Sequence, residues 1–167
     1  AVSVAAPTRL HHELGQSLLE AGLHVLIEKP MTVTVAEAES LITAADKHDC
    51  ILQVGHLERF NPAVVAAAAL IDNPLFIESH RIAPFNPRGA DVSVVLDLMI
   101  HDIDLILELV NAELLAMDAS GAAVISDDID MANARLRFAN GCVANVTASR
   151  VSPRAERRMR VFQRNAY

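Results

Sequence analysis

The chain has 167 residues, of which 52% are hydrophobic and only 4% aromatic; this describes a folded protein with an aliphatic core and excludes a disordered chain. A formal net charge of −7 sets nucleic acid aside as the main partner, because that role usually calls for a basic face. No apolar run reaches the roughly 18 residues of a membrane-spanning helix and no secretory leader is visible, so a cytoplasmic protein without a membrane partner is expected.

Residues 1–6 (AVSVAA) are small and β-branched and predict a strand that Pro7-Thr8 closes. A helix follows over 9–21, with Leu10, Leu14, Leu18 and Ala21 on its apolar face and Gly22 as its stop. Residues 23–27 predict a second strand, which runs directly into Glu28-Lys29-Pro30. Thr34 and Glu37 have the spacing of a capping box, which starts a helix over 34–48, and 51–54 form a third short strand. Strands alternating with helices in this way predict a parallel α/β sheet.

The pattern then changes. An Ala-rich helix spans 61–71, a strand 75–83 and a Pro-rich loop follows it. Residues 94–110 have helical period, with Leu96, Met99, Ile100, Ile103 and Leu107 on one apolar face. Residues 131–138 and 142–150 alternate as strands on either side of the turn pair Asn140-Gly141, and 157–167 predict one further strand. Cys50 and Cys142 lie far apart in apolar segments and read as reduced, buried thiols. The expected fold class is therefore α/β: part of a Rossmann-like parallel sheet domain over 1–58, then an α+β domain with a largely antiparallel open sheet over 59–167.

Three groups of residues carry candidate chemistry. In an open parallel sheet, ligands bind beyond the carboxyl ends of the strands, and Pro7-Thr8, Glu28-Lys29-Pro30 and Gly55-His56 all reach that edge. Pro30 restricts Lys29 to extended backbone and opens the option of a cis bond. The competing reading is a surface Glu–Lys pair of little energetic weight. Asp97 and His101 are one helical turn apart in an apolar segment, the spacing at which a carboxylate orients an imidazole as a general base. A helix-capping arrangement with a partly exposed His is the competing reading. A metal site of Asp97, His101 and Asp104 would have few, loosely spaced ligands. Arg59, after the third strand, can meet an anion, as can the nearby backbone N–H groups. His11 and His12 begin the first helix in the same layer. The arginines at 150, 154, 157, 158, 160 and 164 read as a strand face or an interface rim more readily than as a phosphate site.

Taken together, Pro7-Thr8-Arg9-Leu10-His11, Glu28-Lys29-Pro30 after a strand, and Asp97-x-x-x-His101 on a later helix resemble the Gfo/Idh/MocA family of NAD(P)-dependent oxidoreductases. The stretches GHLERFNP and HRIAPFNPRG most resemble its UDP-N-acetylglucosamine 3-dehydrogenase branch. The resemblance implies NAD or NADP as cofactor and a sugar or nucleotide-sugar hydroxyl as substrate. It also implies a homo-oligomer formed through the antiparallel sheet. It assigns His101 as acid/base supported by Asp97, and Lys29 beside nicotinamide and substrate. Pro7, Thr8, His11, Glu28, Pro30 and Arg59 join Lys29 as cofactor-binding candidates, while Arg81 and Arg88 join Lys29, Asp97 and His101 as substrate-binding candidates; no metal is expected. No G-x-G-x-x-G occurs in the chain, so an internal segment without the main pyrophosphate cradle, truncated also in its second domain, is expected. The other class considered is a non-catalytic relative that binds or dimerises as a scaffold.

Overall fold

The computed structural model describes residues 1–86 and 92–167. Two compact units divide the chain, Ala1–His56 and Leu57–Tyr167. A parallel sheet followed by a largely antiparallel one is the α/β architecture expected.

In the first unit, β1 (Val2–Val4), β2 (Val25–Glu28) and β3 (Leu52–Gly55) form a parallel sheet in that order. Val4 lies opposite Ile27, which lies opposite Val54, so the three carboxyl ends align along one edge. Helices α1 (His11–Glu20) and α2 (Val35–Lys47) connect the strands. Thr34 caps α2 through the predicted box: its side chain accepts from the Glu37 N–H and its own N–H donates to the Glu37 carboxylate. Val4, Leu19, Val25, Ile27, Leu41, Ala44 and Ala45 form the aliphatic core. The inward face of α1 differs from expectation. Leu10 and Leu14 are exposed, and His11, Gly15 and Leu19 are buried instead. The reason is close approach: a Cβ at Gly15 would lie 2.8 Å from Ile27 Cδ1 and 3.1 Å from Leu41 Cδ2. A glycine therefore lets the helix sit down on the sheet, on a face that a count of apolar residues does not find.

The second unit begins with a short 3₁₀ turn (Leu57–Phe60) and α3 (Pro62–Ala68), which Asn61 caps. Its sheet has the order β5 (Leu114–Ala122), β6 (Met131–Phe138), β7 (Val143–Ser149), β4 (Phe76–Ile82), β8 (Glu156–Phe162). Every neighbouring pair is antiparallel except β4 with β7. Gly141, at φ +86°, makes the predicted turn between β6 and β7, and the Asn140 carboxamide accepts from the Cys142 N–H. The last strand stops at Phe162, short of the expected extent. β5 was not predicted; eight of its nine residues are exposed, so no alternation marks it.

A π-helical turn (Val95–Met99) leads into α4 (Ile100–Val110). The wider turn shifts the phase of the apolar stripe. Met99, Ile106 and Val110 enter the core against Ala134, Leu136, Ala144 and Val146, and Leu107, expected inside, is exposed. Cys142 is fully buried and Cys50 half-buried; both are free thiols, and burial pushes the Cys142 thiol up.

Candidate active site

In the first unit, the aligned strand ends deliver three short segments to one edge. Pro7, in extended backbone, opens a 3₁₀ turn over Thr8–Leu10, and its carbonyl accepts from the Leu10 N–H at 2.9 Å. Glu28 is the last residue of β2, and Lys29, half-buried, follows it through a cis bond to a buried Pro30. Glu28 pairs with Gly55 in the register, and its carboxylate lies over that glycine: a Cβ there would be 3.1 Å from Glu28 Oε1. Any side chain at 55 would press on this carboxylate. Sequence reasoning placed Gly55 at the edge but missed this role, which only the cross-strand register reveals.

His11 differs from the other cofactor candidates. It is buried, with Nδ1 2.8 Å from the Pro30 carbonyl and Nε2 2.8 Å from the Ala6 carbonyl. Both ring nitrogens face backbone, so the cofactor contact expected of His11 is replaced by a bridge within the unit.

In the second unit, Asp97 lies in the π turn and His101 in the first turn of α4, both half-buried. The Asp97 N–H donates to the Ser93 carbonyl at 3.0 Å. Ala83, Pro84, Phe85, Asn86, Asp97, Leu98 and Arg150 line a cavity of about 630 Å³. This cavity opens beside the π turn that carries Asp97, and its lining mixes apolar side chains with Asn86, Asp97 and Arg150.

The expected anion-binding arginines have acidic partners. Arg81, buried on β4, donates from Nε and Nη2 to Asp102 at 3.0 and 2.9 Å, with Glu58 at 3.6 Å from Nη1. Burial works against its charge, but the hydrogen bonds and charge of Asp102 outweigh this and hold the guanidinium above its usual range. Arg59 forks onto Asp104 (2.8 and 2.7 Å) and reaches Glu108 at 2.7 Å. Its pKa is raised mainly by the hydrogen bond to Asp104. Bidentate carboxylates thus occupy the forks of both Arg59, a cofactor candidate, and Arg81, a substrate candidate. Asp104 is committed in the same way. Among the described residues, no three His, Cys, Asp or Glu side chains gather as metal ligands. Arg88 lies outside the described residues.

A third ion pair was not foreseen. Arg150, grouped in sequence with the exposed arginines, is buried and donates to Asp130 (2.8 Å), the Val92 carbonyl (2.7 Å) and Ser126 Oγ (3.1 Å). Asp130 also accepts from the backbone N–H groups of Val124, Ile125 and Ser126. Burial alone would raise its pKa; the N–H groups of Ser126 and Ile125, then Ser126 Oγ and Arg150, together hold it far below the usual carboxylate range.

Charged side chains presented beyond the carboxyl ends of a parallel sheet, with an α+β unit following, define the class of α/β proteins that bind ligands at that edge. Within that class the chain belongs to the Gfo/Idh/MocA oxidoreductase family: residues 1–56 match its NAD-binding Rossmann fold and residues 70–166 its C-terminal domain. It is 43% identical, over its whole length, to 54% of the UDP-N-acetylglucosamine 3-dehydrogenase of Acidithiobacillus ferrooxidans. The crystal structure of that enzyme superposes with a TM-score of 0.88 over 96% of this chain and 54% of its own. The chain is also 27% identical to the NAD(+)-dependent scyllo-inositol 2-dehydrogenase of Bacillus subtilis, covering 92% of this chain and 49% of the relative. A probable dehydrogenase from Thermotoga maritima, 26% identical, gives a TM-score of 0.87 over 99% of this chain and 55% of its own. The chain thus spans about half the length of the relatives it matches.

Proposed function

We propose that this chain is the catalytic part of an NAD(P)-dependent dehydrogenase that oxidises a secondary hydroxyl of a sugar nucleotide, of the UDP-N-acetylglucosamine class. The observation that carries the reading is Lys29, which leaves the carboxyl edge of the parallel sheet in a chain 43% identical to a dehydrogenase of that substrate. The half-buried Lys29, Thr8 beside Pro7, and a Glu28 carboxylate set over Gly55 fit the polar nicotinamide end of such a cofactor. No residue of this chain is assigned to the cofactor's pyrophosphate, since it has no G-x-G-x-x-G.

Bound nicotinamide supplies the hydride acceptor. Loss of hydride from a carbinol carbon requires the hydroxyl proton to leave with it, and His101 accepts that proton at a ring nitrogen. Asp97, one helical turn away, orients the imidazole. Lys29 places a positive charge where alkoxide character develops. The cavity beside Asp97 and Leu98 receives part of the substrate, and Arg88 is retained as a candidate for its phosphates. Residues 1–58 serve the nucleotide and 59–167 the substrate, with homo-oligomerisation through the open face of the second sheet and a cytoplasmic setting.

In the full-length enzyme, Lys29→Ala and His101→Ala should each lower kcat for a UDP-sugar by on the order of 10²-fold, the usual size of an acid/base contribution, with circular dichroism unchanged. Near wild-type kcat in both variants overturns the assignment.

A further inference from the structure

His11 opens α1 yet is only 1% exposed, and its two ring nitrogens lie 2.8 Å from two carbonyl oxygens, those of Ala6 and Pro30. A carbonyl oxygen only accepts, so both contacts are hydrogen bonds when both ring nitrogens carry hydrogen. The two carbonyls belong to neighbouring chain segments just past the sheet. The β1–β2 ladder ends at Val4 opposite Ile27, and beyond it Pro30 has no N–H with which to continue the pairing. His11 stands between the two carbonyls with a rigid ring whose nitrogens point in nearly opposite directions, and a ring hydrogen on Nδ1 donates to Pro30. Lys29 sits directly between Glu28, fixed by the β2–β3 register, and Pro30, held by His11.

We infer that His11 is a positioning residue for Lys29, tying the Pro30 carbonyl to the Ala6 carbonyl so that the lysine's backbone is fixed on both sides. This rests on the role proposed above for Lys29. A side chain that must sit within a fraction of an ångström of a reacting atom needs such support from the residues behind it, and small misplacements cost large factors in rate.

The test is a double-mutant cycle in the full-length enzyme. His11→Asn keeps a donor near the Nδ1 position, facing Pro30; His11→Gln keeps one near Nε2, facing Ala6. His11→Asn should retain most of kcat, and His11→Gln should lose about tenfold in kcat with little change in KM for substrate. In a Lys29→Ala background the two should become equal, because the group they position is gone. Equal losses for Asn and Gln in the wild-type background, or the same losses with Lys29→Ala, overturn the inference and leave Lys29 catalytic. Unchanged kcat in Lys29→Ala alone overturns the reading of Lys29 and the inference with it. If the His11 variants do not fold, ¹⁵N NMR of the wild-type ring decides: hydrogen on Nδ1 supports the tie to Pro30, and a bare Nδ1 overturns it.

Discussion

The two units solve the problem of placing a charged side chain in different ways. In the first, the core is wholly aliphatic and its buried polar side chains, His11 and Thr32, bond to backbone carbonyls. The backbone on either side of Lys29 is held by a strand end, by the pairing of Glu28 with Gly55 and by the contact of His11 with Pro30. In the second unit, arginines are paired with buried or nearly buried aspartates: buried Arg81 with Asp102, buried Arg150 with Asp130, and the exposed Arg59 with Asp104. The first pair joins β4 to α4, the helix that carries His101. The second unit should therefore be more sensitive to removal of single charges, and the first to changes of shape or of local backbone bonding.

The largest effect should come from Asp102→Ala. It leaves the Arg81 guanidinium buried without its bidentate partner, with only Glu58 at 3.6 Å. Breaking a buried pair from one side typically destabilises by about 3–5 kcal/mol. Urea unfolding followed by circular dichroism should show it, while replacing both partners by Met and Leu should restore most of the loss. A cost for Asp102→Ala no greater than that of an exposed substitution would break the contrast between the units.

Asp130→Asn comes next and sharpens the comparison through pH. Asp130 is held below its unfolded value of about 3.9, so the unfolded chain takes up its proton first on acidification. Its contribution is therefore complete above about pH 5 and is lost as pH falls below about 4 toward the folded pKa. At neutral pH the variant should melt on the order of 10 °C lower, because Arg150 loses a charged partner. The gap should narrow steadily in thermal melts between about pH 4 and pH 2. A gap independent of pH would mean that geometry, not charge, secures the Ser126 turn.

Much of this was legible in the sequence, and for physical reasons. The alternation of apolar strands and helices in the first unit, the Thr34 cap and the Asn140-Gly141 turn are local signals, and local signals survive in one dimension. The topology rule that put Lys29 at a sheet edge needed only strand order. What could not be read are relations between distant residues. Gly15 on α1 is buried because Ile27 and Leu41 lie across from it. Arg81 and Asp102, and Arg59 and Asp104, are 21 and 45 residues apart, and nothing in HDID announces that its aspartates are taken by arginines. The π turn shifted the face of α4 by an amount that a strict helical period cannot foresee.

The smallest predicted effect tests whether the first unit depends on charge at all. Thr34 and Glu37 exchange two hydrogen bonds at the exposed start of α2. The Glu37 carboxylate is held below its usual pKa, first by the Thr34 N–H. Thr34→Ala removes only the side-chain acceptor, at 3.3 Å the longer of the two bonds. The Glu37 carboxylate can still accept from the backbone N–H at position 34, at 3.0 Å. The loss should therefore fall near the low end of the range for removing an N-cap, about 0.5–1 kcal/mol. Because the surviving bond is the largest of the contacts that lower the Glu37 pKa, ahead of the Thr34 hydroxyl, most of the weak stabilisation it gives remains above about pH 5 and fades on acidification in wild type and variant alike. Urea unfolding at pH 7 and pH 3.5 separates the cases. A wild-type advantage of similar size at both values fits a cap made by backbone geometry, whereas one that vanishes at pH 3.5 would show that the Thr34 hydroxyl acts through the Glu37 charge.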